Sequence, residues 1–293
     1  MFRYWIAAAS MLIPGAASAQ QAPDWTGFYV GGHAAASRDR LHATDRLGIT
    51  QISGLFVTGR GIIIVPATTR DIDASGHKSS FDWGAQVGYQ WQTGHIVLGL
   101  EGDFDPSHRN LMSSQSLTLP PTALTPGVLV EASRRASIKY SWSIRARIGY
   151  AFGGTLAYAT GGYANVRMHF RDNNIFTNLG GPAAPCTPNC TANLGPEGPN
   201  DSFEGSKYAN SGGWTGGLGV ERRLGRHLSI GIEYRHTDFG THDVGPVASG
   251  TLFTGPFTHG DDGGTGQHLT GFDLDSRRRL SGDSIGLRAN FRF

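Results

Sequence analysis

The last nine residues constrain the fold of this chain more than any other segment. Ile285-Gly-Leu-Arg-Ala-Asn-Phe-Arg-Phe293 alternates apolar residues with glycine, arginine and asparagine. Successive side chains of a β-strand point to opposite faces, so one face of this strand is apolar and the other is cationic. A strand that ends a chain leaves an unpaired edge unless it closes a barrel against the first strand. An apolar exterior around a polar interior is the pattern of a transmembrane β-barrel.

The first 19 residues are expected to form a secretory signal peptide, cleaved before Gln20. The segment 1–19 contains, in order, Arg3, the apolar stretch 4–13, the break Pro14-Gly15 and the small residues Ala17-Ser18-Ala19. The apolar stretch is too short to span a bilayer as a helix, and the sequence has no later run of 18 apolar residues. The remaining chain, 20–293, is therefore expected to enter a membrane as strands.

Composition favours one large β domain. The chain has 43 glycines, 16% charged residues and a formal net charge of +2, whereas soluble domains have about 25% charged residues. The near-neutral balance, without a basic stretch interleaved with aromatics, gives no support to a nucleic-acid partner. The two cysteines, Cys186 and Cys190, are expected to close a small disulfide loop in an exported chain. The further ligands of a metal site are not evident near them, and no metal or cofactor is expected.

Eight segments have the length and alternation of barrel strands, which need about 9–11 residues to cross the apolar layer. In 138–150, the apolar face contains Ile138 and Trp142, and the polar face contains Lys139 and Arg145. The predicted fold is all-β, a transmembrane antiparallel up-and-down β-barrel of eight strands. These strands are 25–37, 78–91, 95–106, 131–152, 155–170, 207–224, 227–239 and 277–293.

The connections between these strands are of two kinds. Gln92-Thr93-Gly94, Gly153-Gly154 and Gly225-Arg226 are tight turns with glycine where a positive φ is needed. The other four connections are long, and are expected to be extracellular loops: 38–77, 107–130, 171–206 and 240–276. This asymmetry is typical of outer-membrane barrels with both termini in the periplasm.

The first long connection leaves the strand number open. Ile49–Val57 and Ile62–Val65 around Gly59 have the composition of a hairpin. We interpret it as an extension within the first surface loop. The alternative is a ten-stranded wall.

Aromatic residues are expected to form two interfacial bands. The band near the short turns contains Tyr89, Trp91, Tyr150, Phe152, Phe291 and Phe293. The band near the long connections contains Trp83, Phe104, Trp142, Phe170, Trp214 and Phe239. Aromatics of an ordinary sandwich core would explain their abundance but not two bands around an aliphatic middle.

Several strands resemble those of a known family. Trp25-Thr-Gly-Phe-Tyr-Val-Gly-Gly32 resembles the first strand of the small outer-membrane immunogenic proteins of alphaproteobacteria, and Gly213–Glu221, Ser229–Arg235 and Arg288–Phe293 resemble later strands. These proteins belong to a porin-like group with an OmpA-type or opacity-type barrel. The resemblance implies roles in envelope integrity, surface antigenicity and, in some members, solute passage or haem binding. Phe293 is similar to the signal by which the barrel-assembly machinery recognises its clients, so that machinery is an expected partner.

Charged residues on the polar faces are expected to meet inside the barrel. The interior of an eight-stranded barrel is just wide enough for side chains, and an isolated buried ion costs several kcal/mol. Opposite charges should therefore pair and plug the lumen. The alternative is a narrow pore whose excess of arginine favours anions. The predicted network consists of Glu101, Asp103, Lys139, Arg145, Arg147, Arg167, Glu221, Arg223, Glu233, Arg235, Arg288 and Arg292.

Basic residues at the long-connection ends of the strands suggest a second site. The outer leaflet carries lipopolysaccharide phosphates, and arginine forks suit phosphate oxygens. We expect a collar that binds lipopolysaccharide, formed by Arg38, Arg40, Arg134, Arg135, Arg277, Arg278 and Arg279. The alternative is that solvated strand ends simply carry charge.

No enzymatic activity is expected. His227 and Ser229 would share a strand face, as in lipid A deacylase barrels, but they lie beside a short turn, away from that substrate, and no acidic partner can be identified. Histidines and aspartates of the last strands and loop offer haem or metal ligands, although solvated loop polarity explains them. They are His236, Asp238, His242, Asp243, His259, Asp261 and Asp262.

These observations predict a structural, surface-exposed outer-membrane protein that supports envelope integrity and has a largely plugged lumen. Its expected partners are outer-membrane lipids and lipopolysaccharide. Two alternatives remain, a small porin for passive diffusion and a surface receptor for haem or host molecules.

Overall fold

The computed structural model describes residues 24–55, 63–106, 108–120, 127–180, 184–186, 190–192, 201–258 and 265–293. The predicted signal peptide lies outside these residues. Within them the chain forms eleven strands: β1 (Gly27–Leu55), β2 (Ile63–Thr93), β3 (Ile96–Asp105), β4 (Arg109–Leu119), β5 (Gly127–Phe152), β6 (Thr155–Gly180), β7 (Ala184–Cys186), β8 (Cys190–Ala192), β9 (Asp201–Arg223), β10 (Leu228–Thr258) and β11 (Thr265–Arg292). No helix in these ranges is long and apolar enough to cross a membrane.

The strands close into an antiparallel ring. The order β3-β2-β1-β11-β10-β9-β6-β5 is closed by pairing of β3 with β5. The last strand pairs with the first, with Arg292 opposite Tyr29, as the sequence predicted. β4 follows β3 along the same edge of β5, so β3 and β4 together occupy one position in the wall. We call each such position a stave. The described part of the chain therefore has a wall of eight staves.

The short turns lie where the sequence predicted them. Gly94 and Gly153 have positive φ values of 59° and 57°, which glycine adopts without steric cost. These turns, residues 224–227 and Phe293 lie at one end of the barrel, called here the turn end. The opposite end is called the arm end.

The strands extend far beyond their predicted ends. β1 continues to Leu55 instead of ending at 37, and β2 begins at Ile63 instead of 78. Most residues of the four connections predicted as long loops therefore belong to paired strands. The prediction of loops was wrong for them. The period of two continues through them, but with polar as well as apolar residues on the inner face. In 39–47 the buried side chains are Asp39, Leu41, Ala43, Asp45 and Leu47.

The possible extra hairpin is the tip of the β1–β2 pair. Ile52 pairs with Ile64 and Ser53 with Ile63, in continuous antiparallel register apart from one irregularity near Ile49. The segment lengthens two existing staves and adds none to the ring. The eight-stranded interpretation is confirmed, and the ten-stranded alternative is not.

Beyond the ring, the wall divides into two facing sheets. Pairing of β9 with β10 ends at Trp214 and Asp238, and pairing of β2 with β3 ends at Ala85 and Phe104. Further toward the arm end, the described residues form two sheets, β2-β1-β11-β10 on one side and β4-β5-β6-β9 on the other. We call these sheets the first arm and the second arm.

Apolar side chains fill the space between the two arms. They are Leu41, Phe239 and Leu280 from the first arm and Leu111, Ala136, Ile138, Ala164, Val166, Met168 and Phe170 from the second. The prediction that Phe170 and Phe239 belong to the outer aromatic band was wrong, because both rings point inward.

A β-bulge at Lys139 explains why the inner face of β5 changes. The pairing with β6 shifts between Ile138 and Tyr140. On the turn side of Lys139 the odd-numbered residues of β5 face inward, whereas on the arm side the even-numbered residues do. An extra residue in one strand reverses its alternation relative to the partner strand.

The outer wall near the turn end is an apolar band flanked by aromatic residues. Large aliphatic side chains in this band are exposed, among them Leu98, Leu100, Ile148, Leu218, Ile230, Ile232 and Leu287. Phe28, Tyr89, Trp91, Tyr150, Phe152, Phe291 and Phe293 lie toward the turn end of the band, and Phe81, Trp83, Phe104, Tyr163 and Trp214 toward the arm end. Such a surface is stable only in contact with hydrocarbon.

Replacing Leu287, which is 65% exposed in this band, by arginine should therefore destabilise the barrel. The expected cost is about 2–4 kcal/mol, because the charge would lie in hydrocarbon. Urea unfolding in phospholipid vesicles measures it. Thr241→Arg, at an exposed position of the first arm, is the control. Equal costs for the two variants would contradict the membrane placement.

Candidate functional site

Two glutamates and two arginines form the centre of the lumen. Arg145 on β5 donates from Nη2 to Glu101 Oε1 at 2.5 Å and from Nη1 to Glu233 Oε1 at 2.6 Å. Arg288 on β11 also donates to both carboxylates. All four side chains are at most 6% exposed. Each glutamate thus contacts both of these guanidinium groups, which links staves on opposite sides of the ring.

A second layer lies toward the turn end, around Glu221. This carboxylate accepts from Arg147 at 3.0 Å, Arg292 at 3.2 Å, Asn290 at 3.0 Å and the Ser229 hydroxyl at 2.6 Å. The strand register explains this arrangement, since Ser229, Asn290 and Arg292 all occupy inward positions of β10 and β11. The polar face of the C-terminal segment therefore enters the ion-pair network.

A third layer lies toward the arm end, around Asp103. Its carboxylate accepts from Arg235 at 3.2 Å and from Ser143 at 2.5 Å, and it lies 3.1 Å from Arg145. Arg235 also donates to Glu233, which joins this layer to the centre.

Two tyrosines that the sequence analysis missed complete the network. Tyr29 donates to Glu101 at 2.5 Å, and Tyr158 donates to Glu233 at 3.0 Å. The guanidinium of Arg147 lies 3.6 Å from the centre of the Tyr158 ring. Both tyrosines occupy inward positions of their strands, so following the alternation of β1 and β6 identifies them.

Trp25, just before β1, covers the turn end of the lumen. Its side chain is fully buried against Val97, Ala151, Leu156 and Tyr158. Its backbone oxygen accepts from Arg292 at 3.0 Å. The ion-pair network is thus capped by an apolar layer at the turn end.

A small cavity of about 90 Å³, with several charged side chains in its lining, separates the ion-pair network from the apolar layer between the arms. Arg109 there donates to Asp39 at 2.9 Å and to Asp82 at 3.2 Å, and His33 lies 2.5 Å from Asp105. Asp82 Oδ1 has no hydrogen-bond partner among the described side chains. The cavity has room for water that would satisfy it.

Three residues predicted for the network lie elsewhere. Arg167 is exposed on the outer wall, with its guanidinium 5.8 Å from the Tyr208 ring. Arg223 donates to the backbone oxygens of Asp24 and Arg226 at the rim of the turn end. Lys139 is the extra residue of the β5 bulge. The predictions for Lys139 and Arg167 failed because the bulge in β5 was not foreseen and because the even-numbered, not the odd-numbered, residues of β6 face inward. The prediction for Arg223 failed because this residue ends β9 at the rim.

The comparisons with known proteins agree with this architecture. A family model described as "Outer membrane protein beta-barrel domain" matches residues 6–293. The chain belongs to this outer-membrane β-barrel family. A 22 kDa outer membrane protein of Rhizobium leguminosarum bv. viciae is 26% identical over 253 residues, which cover 83% of this chain and 78% of the relative. The chain is therefore an outer-membrane protein of the Gram-negative envelope.

Solved structures of other outer-membrane proteins are similar only at a coarse level. The attachment invasion locus protein Ail of Yersinia pestis, in complex with the heparin analogue sucrose octasulfate, has 10% identity, a TM-score of 0.27 and coverage of 89% of this chain and 99% of its own. The outer membrane protease OmpT of Escherichia coli has 8% identity, a TM-score of 0.29 and coverage of 94% and 100%. Such low scores carry no argument about function.

The predicted collar of this outer-membrane barrel is only partly on its surface. Arg38, Arg40, Arg135, Arg277 and Arg279 are exposed, whereas Arg134 and Arg278 are buried between the arms. The prediction was wrong for those two because neighbouring residues of a strand point to opposite faces. In the run 277–279 the middle side chain therefore faces inward.

Arg134 and Arg278 form an ionic cluster that joins the two arms. Arg134 on β5 lies 2.9 Å from Asp45 on β1, and Arg278 on β11 lies 2.5 Å from Asp172 on β6. Burial raises the pKa of Asp172, although Arg278 and Arg134 oppose that effect. The cluster lies beyond the apolar layer and holds the sheets together across the interior.

The other predicted site residues are distributed as follows. The backbones of β7 and β8 place Cys186 opposite Cys190, and the disulfide between them stays a prediction. Ser229 faces the lumen and donates to Glu221, whereas the His227 ring lies in a turn, 2.9 Å from the Arg292 backbone oxygen. The two side chains do not form a nucleophile–base pair.

The described members of the proposed haem-ligand group have other contacts. His236 pairs with Asp283, Asp238 with Arg279 and Asp243 with Arg277, and His242 contacts the Phe239 backbone oxygen. His259, Asp261 and Asp262 lie outside the described residues. Among the described residues, no group of three or more His, Cys, Asp or Glu side chains has the arrangement of a metal site.

Replacing Arg145 by methionine should destabilise the barrel by about 3–5 kcal/mol, because Glu101 and Glu233 would each lose a buried counter-charge. Equilibrium urea unfolding in detergent or vesicles measures this. The control is Arg38→Met, at an exposed position, for which a change within about 0.5 kcal/mol is expected. A change of that small size at Arg145 would show that the network contributes little to stability.

Proposed function

We propose that this outer-membrane barrel is a structural, surface-exposed protein that supports envelope integrity and does not conduct solutes. Its turn end, where β1 begins and β11 ends, faces the periplasm, and its arms extend outside the cell. The single observation that carries the proposal is the buried network of Arg145, Arg288, Glu101 and Glu233, which crosses the lumen from several staves.

Three successive layers of side chains favour a closed lumen and argue against a small porin. Trp25 covers the turn end, the ion-pair network fills the membrane-spanning part, and apolar side chains fill the space between the arms. A conducting path needs a continuous polar channel with sites that ions can enter and leave. A passing ion would have to break contacts that compensate buried charges, at a cost of several kcal/mol.

Electrical recording distinguishes the plug from a pore. The refolded protein in planar bilayers is expected to give no stable conductance step. Replacing Glu101, Arg145, Glu233 and Arg288 together by alanine removes two acids and two bases, and should raise the conductance. Asp45→Ala/Arg134→Ala, which removes one charge pair between the arms, should not. Large, stable steps from the unaltered protein would identify a porin instead.

The envelope role has a separate test in the cell. Loss of the gene should increase sensitivity to detergent and to antibiotics too large for porins, and the unaltered gene should restore resistance. The four-alanine variant should restore it less well if it reaches the membrane in equal amount, because its lumen leaks. A deletion strain with unchanged sensitivity would contradict the structural role.

A further inference from the structure

Four basic side chains gather on the outer surface of the second arm. Arg135 and Lys139 belong to β5, and Arg167 and Arg171 belong to β6. The three arginines are exposed and Lys139 is partly exposed. We propose that these residues, the cationic patch, bind the phosphate groups of lipopolysaccharide in the outer leaflet. The inference deepens the proposed function, because it needs the arms to lie on the outer side of the membrane.

The strand register places like charges side by side. Arg135 is directly opposite Arg171, and Arg167 is opposite Tyr140, the neighbour of Lys139. Directly opposed side chains on one face are about 4.5–5.5 Å apart at Cβ, and like charges in such pairs are destabilising. None of the four forms an ion pair within the part of the chain that the structure describes. An anion bound between them would relieve the repulsion.

Four exposed arginines of the first arm are different. Each has an aspartate within ion-pair distance: Arg40–Asp283 at 2.9 Å, Arg46–Asp71 at 3.2 Å, Arg277–Asp243 at 2.9 Å and Arg279–Asp238 at 2.5 Å. Their positive charge is therefore neutralised locally. The four like charges of the second arm have no such aspartates among the described residues, and the site that we propose for anions therefore lies there and is not the collar that the sequence predicted.

The height of the cationic patch suits the headgroup layer. Tyr163, in the aromatic band at the arm end of the hydrocarbon, lies on the same outer face of β6, four residues before Arg167. Four residues of strand span about 13 Å, less in height for a tilted strand. Lys139 and Arg167 thus lie at the level of lipid phosphates, and Arg135 and Arg171 lie further out, where phosphorylated core sugars are found. This graded position favours a membrane lipid over a soluble polyanion.

Two rings form the surface between the charges. His169 stacks on Tyr208 with 4.1 Å between ring centres and 9° between planes, and Arg167 lies over the same tyrosine. Burial against its neighbours, together with the positive charges of Arg171 and Lys139, lowers the pKa of His169. The arginines and the lysine therefore supply the charge for phosphate binding.

Thermal unfolding in nanodiscs tests the cationic patch. The discs contain phosphatidylcholine with either bisphosphorylated or fully dephosphorylated lipid A. The unaltered protein should have a higher Tm in the phosphorylated discs. Arg135→Gln/Lys139→Gln/Arg167→Gln/Arg171→Gln should lose most of that difference. Its affinity for phosphorylated lipid A, measured by fluorescent lipid competition, should fall about fivefold per removed charge, the equivalent of about 1 kcal/mol each.

The matched control removes four positive charges from the first arm: Arg40→Gln/Arg46→Gln/Arg277→Gln/Arg279→Gln. It should keep the Tm difference. An equal loss in both variants, an equal effect of dephosphorylated lipid A, or equally tight binding of soluble inositol hexakisphosphate would overturn the assignment. The outcome is independent of the conductance test, since a conducting barrel that still prefers phosphorylated lipid A would refute the plug and leave the cationic patch intact.

Discussion

The pairing of the first strand with the last is the contact on which the rest of the structure depends. In hydrocarbon, every backbone N–H and C=O group must be paired within the protein, so an open sheet edge is not tolerated. The register that places Tyr29 opposite Arg292 closes the ring. The same register fixes which residues face inward, because a slip of one residue would turn the charged face of β11 toward lipid. The strand register that closes the ring therefore also determines which side chains line the lumen.

The interior changes character along the strands because the surroundings change. Where the wall contacts lipid, apolar side chains point outward, and the charges of the chain pair inside. Where the wall contacts water, the ordinary hydrophobic effect applies, and the arms bury Leu41, Ile138 and Phe170 between them. The bulge at Lys139 lets β5 take part in both regions, since it reverses the inward phase within one strand. The molecule is therefore a membrane barrel that continues into a two-sheet sandwich.

The sequence was sufficient for the features that depend on alternation alone. The barrel, its eight staves, the tight turns and the ion pairs of Arg145 and Glu101 follow from a period of two. The sequence was insufficient at Lys139, where one extra residue changes which side chains of the strand face inward. It was also insufficient where polar residues, such as Asp39 and Asp45, occupy an inner face. Such segments have no apolar stripe and are easily taken for loops. Tertiary ion pairs, which a single sequence does not display, are what stabilise them as strands.

The net charge of the ion-pair network in the lumen is compensated by its neighbours. The network contains four acids, Glu101, Asp103, Glu221 and Glu233, and five arginines, Arg145, Arg147, Arg235, Arg288 and Arg292. The cavity next to it contains the opposite excess, with Asp39, Asp82 and Asp105 around Arg109 and His33. An excess of buried arginine would attract mobile anions and favour a selective pore. Because acids of the adjoining layer offset that excess, the column of charges needs no mobile counter-ion, which favours a closed structural element.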